Sequence, residues 1–214
     1  MAGPVSLTLS TEVVPIAIRA ERLEILVVRQ PAGWRLPGGS LGAGENLDTA
    51  ASRHLTEQTG LGEVYLEQLY TFGRPRQGVG TLAVAVAYYA LVPTGALAAG
   101  PAASGAATAW ISAEALADLR SDHADIVGLA HRRLASKLAY STIALQLMPE
   151  RFTLSELQAV NETILGEPLD KRNFRKRILA LDCIEATGEM ARSGGHRPAR
   201  LYRAKRPGQV DFIK

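Results

Sequence analysis

A glycine-rich loop that leads directly into a helix is the feature that most constrains the fold of this 214-residue chain. Residues 33–46 read GWRLPGGSLGAGEN, in which six of fourteen positions are glycine or proline, so the stretch predicts a loop or hairpin. From residue 47 to 58 the apolar and small residues recur at helical spacing. Gly60 stands where such a helix would end, because glycine adopts the left-handed conformation of a helix C-cap without strain.

Short strands are expected on both sides of this loop and helix. The segments PIAIRA and LEILVVR, joined at positions 20–22, are rich in Ile and Val. Residues 63–72 and 81–92 are strand-like, and the second run is apolar enough for the centre of a sheet. A strand at 108–111 is predicted to lead into a helix with Ser112 as N-cap. This order predicts a mixed sheet with few helices, of the α+β or α/β class.

The C-terminal part has the element order of a winged helix-turn-helix. Residues 121–148 follow a helical pattern, and another helix starts at Thr153 or Ser155, since either can serve as N-cap. Asp170 caps a further helix whose polar face is strongly basic, and two short strands around a Gly-Gly turn follow. The apolar residues of the basic helix share one side and are expected to be buried: Phe174, Ile178 and Leu181.

Basic residues are concentrated in this C-terminal part. Residues 1–150 contain 11 Lys+Arg and 13 Asp+Glu, whereas residues 151–214 contain 13 and 8. A block of positive charge this dense is either a solvated face or a surface that binds a polyanion. Composition alone leaves both interpretations open.

The chain shows the features of a cytoplasmic protein. Its one cysteine, Cys183, cannot form an internal disulfide, which favours a reducing compartment. The first twenty residues lack the basic start and unbroken apolar core of a signal peptide. The longest purely apolar run, residues 82–92, is too short to cross a bilayer, so we expect no membrane association.

The loop and helix also contain a long motif of fixed spacing. The sequence has Gly39, five residues, Glu45, seven residues and then RHLTEQTGL, which resembles the Nudix box. The matching positions are Gly39, Glu45, Arg53, Leu55, Glu57, Gly60 and Leu61. The resemblance implies an N-terminal Nudix α/β/α sandwich with a mixed sheet, so the fold class becomes α+β with a C-terminal winged helix-turn-helix domain.

Two positions of the box depart from the family pattern. His54 and Gln58 stand where the family has glutamates, four residues apart and therefore on one helix face. In the family that face holds magnesium, for which glutamine and histidine are poor ligands. We therefore expect a degenerate box, no catalytic residue, no metal site and no enzymatic activity, with Arg53 and Glu57 forming a structural ion pair. The alternative is an active hydrolase of ADP-ribose or another nucleoside diphosphate derivative, with Glu63 or Glu67 replacing the missing carboxylates.

A Nudix-like domain followed by a winged helix is similar to the Nudix-related transcriptional regulators of the NrtR family. The resemblance implies a homodimeric repressor that binds double-stranded operator DNA of NAD biosynthesis or salvage genes. It also implies a nucleotide effector, ADP-ribose or NAD, with no cofactor required. The implied domains are residues 1–120 for ligand sensing, 121–149 as a helical connector and 150–214 for DNA binding.

The residue types around the loops and on the basic helix then suggest two sets of contacts. Arginines suit phosphates and aromatic rings suit adenine, which gives a ligand-binding set of Arg29, Trp34, Arg35, Tyr70, Phe72, Arg74 and Arg76. Basic and polar residues of the winged helix give a DNA-binding set of Thr153, Ser155, Lys171, Arg172, Asn173, Arg175, Lys176, Arg192, His196, Arg197 and Arg200, with Arg203 further along the wing. Arg172 and Asn173 are the types that read guanine and adenine edges.

Overall fold

The computed structural model describes residues 6–76, 81–96, 105, 107–117, 119, 121–191 and 198–213. The chain divides into two compact units. The first comprises Met1–Ile16, Glu24–Leu91 and Ala99–Ala130, and the second comprises Ala17–Leu23, Val92–Ala98 and His131–Lys214. Among the described residues, no helix combines the length and the apolar composition needed to span a bilayer.

A mixed β-sheet dominates the N-terminal part. Its strands within the described residues are β1 (Ser6–Arg19), β2 (Arg22–Gln30), β3 (Gly33–Arg35), β4 (Gly38–Ser40), β5 (Tyr65–Arg76), β6 (Thr81–Leu91) and β7 (Thr108–Ser112). Their order along the main path is β3-β2-β1-β6-β5, with β4 paired to β1 and β7 paired to β2. β1 and β6 are parallel over eleven residue pairs, whereas β5 and β6 are antiparallel. The mixed sheet that the sequence predicted is therefore confirmed.

The centre of this sheet is apolar on both faces. Val13, Val14, Ile16 and Ala17 of β1 are all at most 1% exposed, so the strand does not alternate between core and solvent. β1 begins nine residues before the predicted PIAIRA segment, at Ser6. The turn into β2 is formed by two non-glycine residues with positive φ, at positions 20 and 21, as a tight two-residue hairpin requires.

Helix α1 (Leu47–Thr59) follows the glycine-rich loop, as the sequence predicted. Asn46 caps its first turn by accepting a hydrogen bond from the Thr49 amide at 2.8 Å. Gly60 ends it at φ 74°, with its amide donating to the carbonyl of Thr56 at 2.9 Å. Both ends of the helix are therefore set by local sequence.

The second unit contains a winged helix. Its elements are the last eight residues of α2 (Ser121–Leu138), a 3₁₀ helix (Ile143–Leu147), β8 (Phe152–Thr153), α3 (Leu154–Leu165), α4 (Lys171–Ala180), β9 (Ile184–Ala191) and β10 (Ala199–Ala204). The strands form an antiparallel sheet in the order β8-β10-β9. Of the two N-cap candidates for α3, the structure uses Thr153, which forms a capping box with Glu156. Phe174 and Ile178 are buried as predicted, and Leu181 is half-buried. The predicted winged helix is confirmed.

The helix predicted after Ser112 is absent from the described residues. The Ser112 hydroxyl accepts from the Glu114 amide at 3.2 Å, and the Ala115 amide donates to the Ser112 carbonyl at 3.0 Å, which closes a single turn. Leu119 is buried and its backbone forms a bridge with Trp34. The prediction was wrong because this strand-like pairing stops the helix from propagating beyond its cap.

Candidate functional site

The loop before α1 is held by an ion pair within the box motif. The Glu45 carboxylate accepts hydrogen bonds from Nε and Nη2 of Arg53, each at 2.8 Å, and from the Gly42 amide at 2.8 Å. Its side chain is 11% exposed. The Arg53 hydrogen bonds, helped by the Gly42 amide, lower the pKa of Glu45 to about 2. Arg53 also reaches Glu57 at 3.3 Å, but Glu57 is 53% exposed and adds little. The predicted Arg53–Glu57 pair exists, and the stronger contact is to Glu45.

The short strand β4 exposes backbone groups on the side away from β1. In an antiparallel ladder, residue pairs that exchange hydrogen bonds alternate with pairs that do not. The Val13 amide donates to the Pro37 carbonyl at 2.8 Å, so Val13 and Pro37 form a hydrogen-bonded pair. The next such pair is Thr11 with Gly39, which leaves the amide and carbonyl of Gly38 and the carbonyl of Ser40 pointing outward. This free edge requires other hydrogen-bond partners, since Gly38 is buried.

Gln58 satisfies one end of that edge. Its Oε1 accepts from the Gly38 amide at 3.2 Å, and its Nε2 donates to the Gly38 carbonyl at 3.0 Å. The carboxamide therefore pairs with Gly38 as a neighbouring strand would. The Gly38 carbonyl also accepts from Nη2 of Arg35 at 2.6 Å. A glutamate at position 58 could make only the first of these two bonds, because a carboxylate cannot donate.

His54 satisfies the other end of the edge. Its Nε2 lies 3.1 Å from the Ser40 carbonyl, and its Nδ1 lies 3.3 Å from Nε2 of Gln58. Because a carbonyl can only accept and the Gln58 amide nitrogen can only donate, both contacts are satisfied when Nε2 carries the ring hydrogen. A Cβ at Gly39 would lie 2.9 Å from the ring, so the close approach requires glycine there.

The spacing of these two side chains matches the spacing of their targets. Residues four apart on a helix are separated by about 6 Å along its axis, and residues two apart on a strand by about 6.6 Å. His54 and Gln58 can therefore meet Ser40 and Gly38 at the same time. We call His54, Gln58 and the outer edge of β4 the edge clamp. The described residues include no group of three or more His, Cys, Asp or Glu side chains suited to a metal ion.

The predicted ligand-binding residues lie on two separate parts of the sheet. The Arg29 guanidinium stacks over Trp34 at 5.2 Å, on the paired strands β2 and β3. Tyr70 and Phe72 of β5 make an edge-to-face contact at 5.3 Å, and Tyr70 is 56% exposed. The main path places β3 and β5 at opposite ends of the sheet, so the structure does not bring the two aromatic groups together. Arg74 and Arg76 belong to β5 by their backbones, and their side chains lie outside the described part of the structure.

Sequence reasoning missed two polar features of this unit. Buried His123 of α2 accepts from the Leu36 amide at 2.9 Å, which anchors the loop before β4. The Tyr88 hydroxyl donates to Asp48 at 2.6 Å, and burial together with that carboxylate raises the pKa of Tyr88. A polar cleft beside α1 is lined by Asp48, Thr49, Ser52, Arg53, Thr56, Leu66, Glu67, Gln68 and Tyr88. No local pattern reveals these contacts, because each joins segments distant in sequence.

The second candidate site is the basic face of α4. Lys171, Arg172, Asn173 and Lys176 are exposed, whereas Phe174 and Ile178 hold the opposite face in the core. Asp170 caps the helix by accepting from the Asn173 amide at 2.8 Å. Within the described residues, no carboxylate lies within 4.0 Å of the charged groups of Lys171, Arg172 or Lys176. Their charge is therefore not neutralised by any side chain in the described part of the chain.

A groove beside α4 contains more of the DNA-binding set. Thr153, Ser155, Lys171, Arg175 and Arg200 line it, and Nη2 of Arg175 reaches the Ser155 hydroxyl at 3.4 Å. Thr153 is only 8% exposed and its hydroxyl accepts from the Glu156 amide, so its side chain is used by the α3 cap.

The structure describes only some of the DNA contacts predicted for the wing, the hairpin of β9 and β10. Arg203 is paired with Glu185 at 2.7 Å. Arg200 is exposed on β10 and lines the groove. The predicted contacts Arg192, His196 and Arg197 lie outside the described residues.

The turn between α3 and α4 is fixed by a pair of side chains on α3. Glu162 accepts from the Leu169 amide at 2.8 Å, and Gln158 donates to the Leu169 carbonyl at 2.9 Å. Gln158 also donates to Glu162 at 2.9 Å. The Leu169 amide, with Gln158, lowers the pKa of Glu162. These bonds set where α4 begins relative to α3.

Comparisons with known proteins agree with both parts of the fold. Residues 10–129 match the NUDIX domain, and residues 144–204 match the NrtR DNA-binding winged helix domain. The chain is 36% identical over 191 residues to the ADPR responsive transcriptional repressor NtrR of Acinetobacter baylyi, covering 85% of this chain and 76% of that protein.

Two crystal structures are similar as well. NrtR of Shewanella oneidensis complexed with a 27mer DNA has 30% identity and a TM-score of 0.79, covering 92% of this chain and 93% of that one. The NUDIX domain of the same protein complexed with ADP ribose has 27% identity and a TM-score of 0.52, covering 62% and 90%.

Proposed function

This chain belongs to the Nudix family and carries an NrtR DNA-binding winged helix domain, and from that premise we propose that it is a transcriptional repressor responsive to ADP-ribose. Two relatives support the proposal. The Acinetobacter protein is an ADPR responsive transcriptional repressor, and the Nudix domain of Shewanella NrtR forms a complex with ADP ribose. The described part of this chain adds the chemistry that each activity needs.

We propose that α4 is the helix that enters the major groove. The observation that carries this proposal is a helix with one face anchored by Phe174 and Ile178 and the other presenting cations that have no carboxylate partner among the described residues. Phosphate neutralisation by such cations supplies most of the affinity for DNA. Arg172 and Asn173 lie in the first turn, the end of a recognition helix that reaches base edges. Arg200, Ser155 and Arg175 would flank it along the groove.

Arg192, His196 and Arg197 remain proposed contacts of the wing. We do not include Thr153 among the residues that contact DNA, because its hydroxyl caps α3.

We further propose a homodimer on a near-palindromic operator upstream of NAD biosynthesis or salvage genes, acting in the cytoplasm. One module covers only a half-site, and two linked modules gain affinity by effective concentration.

The test of DNA binding is fluorescence anisotropy on duplexes from the region upstream of the gene, at several salt concentrations. Lys176→Ala should lower affinity and reduce the slope of log affinity against log salt by about one. Lys205→Ala is the matched control, since Lys205 is already paired with Asp182 at 2.6 Å. Equal effects of the two variants would show that α4 is not the phosphate-contacting surface.

Sedimentation should give a dimer, and a monomer that binds a half-site tightly would contradict the dimer proposal.

We propose that the Nudix domain senses its nucleotide with little hydrolysis. Hydrolysis in this family uses magnesium, and the residues at the box do not fit that ion. Both ring nitrogens of His54 and both polar atoms of Gln58 are committed to the edge clamp. Glu45 is committed to Arg53 and Gly42, which leaves Glu57 as the box carboxylate facing solvent. One exposed carboxylate is a weak magnesium site, since hard cations need several oxygen ligands.

The test is ADP-ribose turnover in the presence of magnesium, measured beside ADP-ribose binding by calorimetry. We expect binding with negligible product. Robust turnover that is abolished by Glu57→Gln would refute the sensor proposal and favour the hydrolase alternative. The double change His54→Glu with Gln58→Glu breaks the edge clamp, so we expect it to weaken folding without restoring activity.

The nucleotide contacts remain a proposal for two groups of residues. Arg29, Trp34 and Arg35 combine a stacked ring with guanidinium groups, a combination suited to a base beside phosphates. Tyr70 and Phe72, with Arg74 and Arg76 on the same strand, form the other. Because β2 and β5 are three strands apart, about 14 Å, single variants Trp34→Leu and Tyr70→Leu should not lower ADP-ribose affinity equally. Calorimetry on each variant identifies the base-binding group.

A further inference from the structure

A half-open cavity of about 400 Å³ lies between α2, α3 and α4 of the winged-helix unit. Its walls are mainly apolar, with Leu138 from α2, Leu165 and Leu169 from α3 and the following turn, and Phe174 from α4. This volume falls in the range of small-molecule sites and is larger than ordinary packing defects. None of the residues proposed to bind nucleotide contributes to it.

One buried polar side chain lines this apolar cavity. Asn161 is 4% exposed, and its Nδ2 donates to the Leu157 carbonyl at 2.8 Å. Because a carbonyl can only accept, this bond fixes which end of the carboxamide is nitrogen. Oδ1 is therefore the other end, and among the described residues no donor reaches it. A ligand that displaces water from this oxygen must donate a hydrogen bond or leave the oxygen unsatisfied, so the cavity has a specific place for a hydrogen-bond donor.

The cavity also contacts the DNA-reading helix directly. Asn173, Phe174 and Arg177 of α4 contribute to its wall. Arg177 additionally donates to the Leu138 carbonyl at 2.7 Å, which ties α4 to the C-terminal end of α2. A molecule in the cavity would touch the side of α4 that lies opposite Arg172 and Lys176. Its presence would therefore change the packing that positions Arg172 and Asn173.

We propose that this cavity binds a small, mostly apolar molecule that donates one hydrogen bond to Oδ1 of Asn161. The site would give the winged helix a ligand input of its own, separate from the nucleotide sensed by the Nudix domain. The apolar walls select a flat or aliphatic body, and the single acceptor selects a hydroxyl, an amine or a ring N–H over a bare hydrocarbon.

Indole and indene are suitable probes, because they share a shape and differ in the ring N–H. We expect indole to bind the full-length chain on the order of 5-fold more tightly than indene, since one hydrogen bond to Oδ1 of Asn161 separates them. Titrations followed by ¹⁵N NMR should shift the amides of residues 173–177. Asn161→Leu removes the acceptor but keeps the side-chain size, so it should bind both probes with equal affinity.

A second variant tests the cavity without altering Asn161. Ala135 lines it from α2, so Ala135→Leu should fill the space and abolish binding of both probes. Ala180→Leu, an exposed alanine on α4 that does not line the cavity, is the matched control and should retain binding. Failure of indole to shift residues 173–177, or equal affinity of wild-type protein for indole and indene, would overturn the proposal. A dimer in solution that Ala135→Leu dissociates would also overturn it, by assigning the cavity to an interface between two copies.

Discussion

Replacing Gln58 by methionine tests the edge clamp directly. Methionine keeps the length of the side chain but cannot hydrogen bond with the Gly38 amide at 3.2 Å or its carbonyl at 3.0 Å. The carbonyl retains Nη2 of Arg35 at 2.6 Å, so only the buried amide is left without a partner. Losing one net hydrogen bond costs about 1 kcal/mol, and an unsatisfied buried donor costs about 1–3 kcal/mol. Because Gln58 is half-buried, we expect the lower half of that range, which gives about 2–3 kcal/mol in total.

Urea unfolding at pH 7 measures this loss as a lower midpoint with an unchanged slope. The matched control is Gln68→Met on β5, where the glutamine is exposed and the change should cost less than about 0.5 kcal/mol. If Gln58→Met and Gln68→Met are equally stable, the clamp contributes nothing, and Gln58 would be free for another role such as ligand binding. A loss that disappears on adding magnesium would equally contradict the reasoning, because the clamp needs no cation.

Further predictions concern pH, capping and DNA reading. The pKa of Glu45 in the folded chain is about 2, below its ordinary value of 4.5, so its contribution to stability is complete above pH 4.5 and is lost toward pH 2. The stability difference between wild type and Glu45→Gln in urea should shrink over that interval. Thr153→Ala should cost about 1 kcal/mol by removing the α3 cap, whereas Thr163→Ala, further along the same helix, should be close to neutral in the same assay. Arg172→Ala should cost about 1–3 kcal/mol on operator DNA and little on scrambled DNA, whereas Arg200→Ala should weaken both by anisotropy. Equal losses from Arg172→Ala on both duplexes would mean that α4 does not read sequence.

The parts of the structure that the sequence predicted are those set by local chemistry. Gly60 ends α1 because a left-handed C-cap favours glycine, and Asp170 starts α4 because its carboxylate meets an amide three residues later. Both depend on neighbours within one turn. The spacing of the box motif predicted the loop and helix for the same reason.

The role of the two unusual box residues could not be predicted in this way. The sequence presents His54 and Gln58 only as missing carboxylates, and their hydrogen bonds to Ser40 and Gly38 depend on how α1 packs against β4. Such contacts join residues 14 and 20 positions apart and leave no periodic signal. The helix predicted after Ser112 failed similarly, because a distant partner strand decided the outcome.

The parallel pairing of β1 with β6 has a consequence for how the chain folds during synthesis. β1 leaves the ribosome first, but its partner begins only at Thr81, so the sheet must close a long loop before its central hydrogen bonds can form. The winged-helix strands β8, β9 and β10 lie within about fifty residues of each other and close much shorter loops. We therefore expect the C-terminal unit to refold faster than the N-terminal sheet after dilution from urea. In the nascent chain, β1 can pair early with β2 and β4, but its β6-facing edge stays open until β6 has been made, which makes that edge the part most in need of chaperone protection.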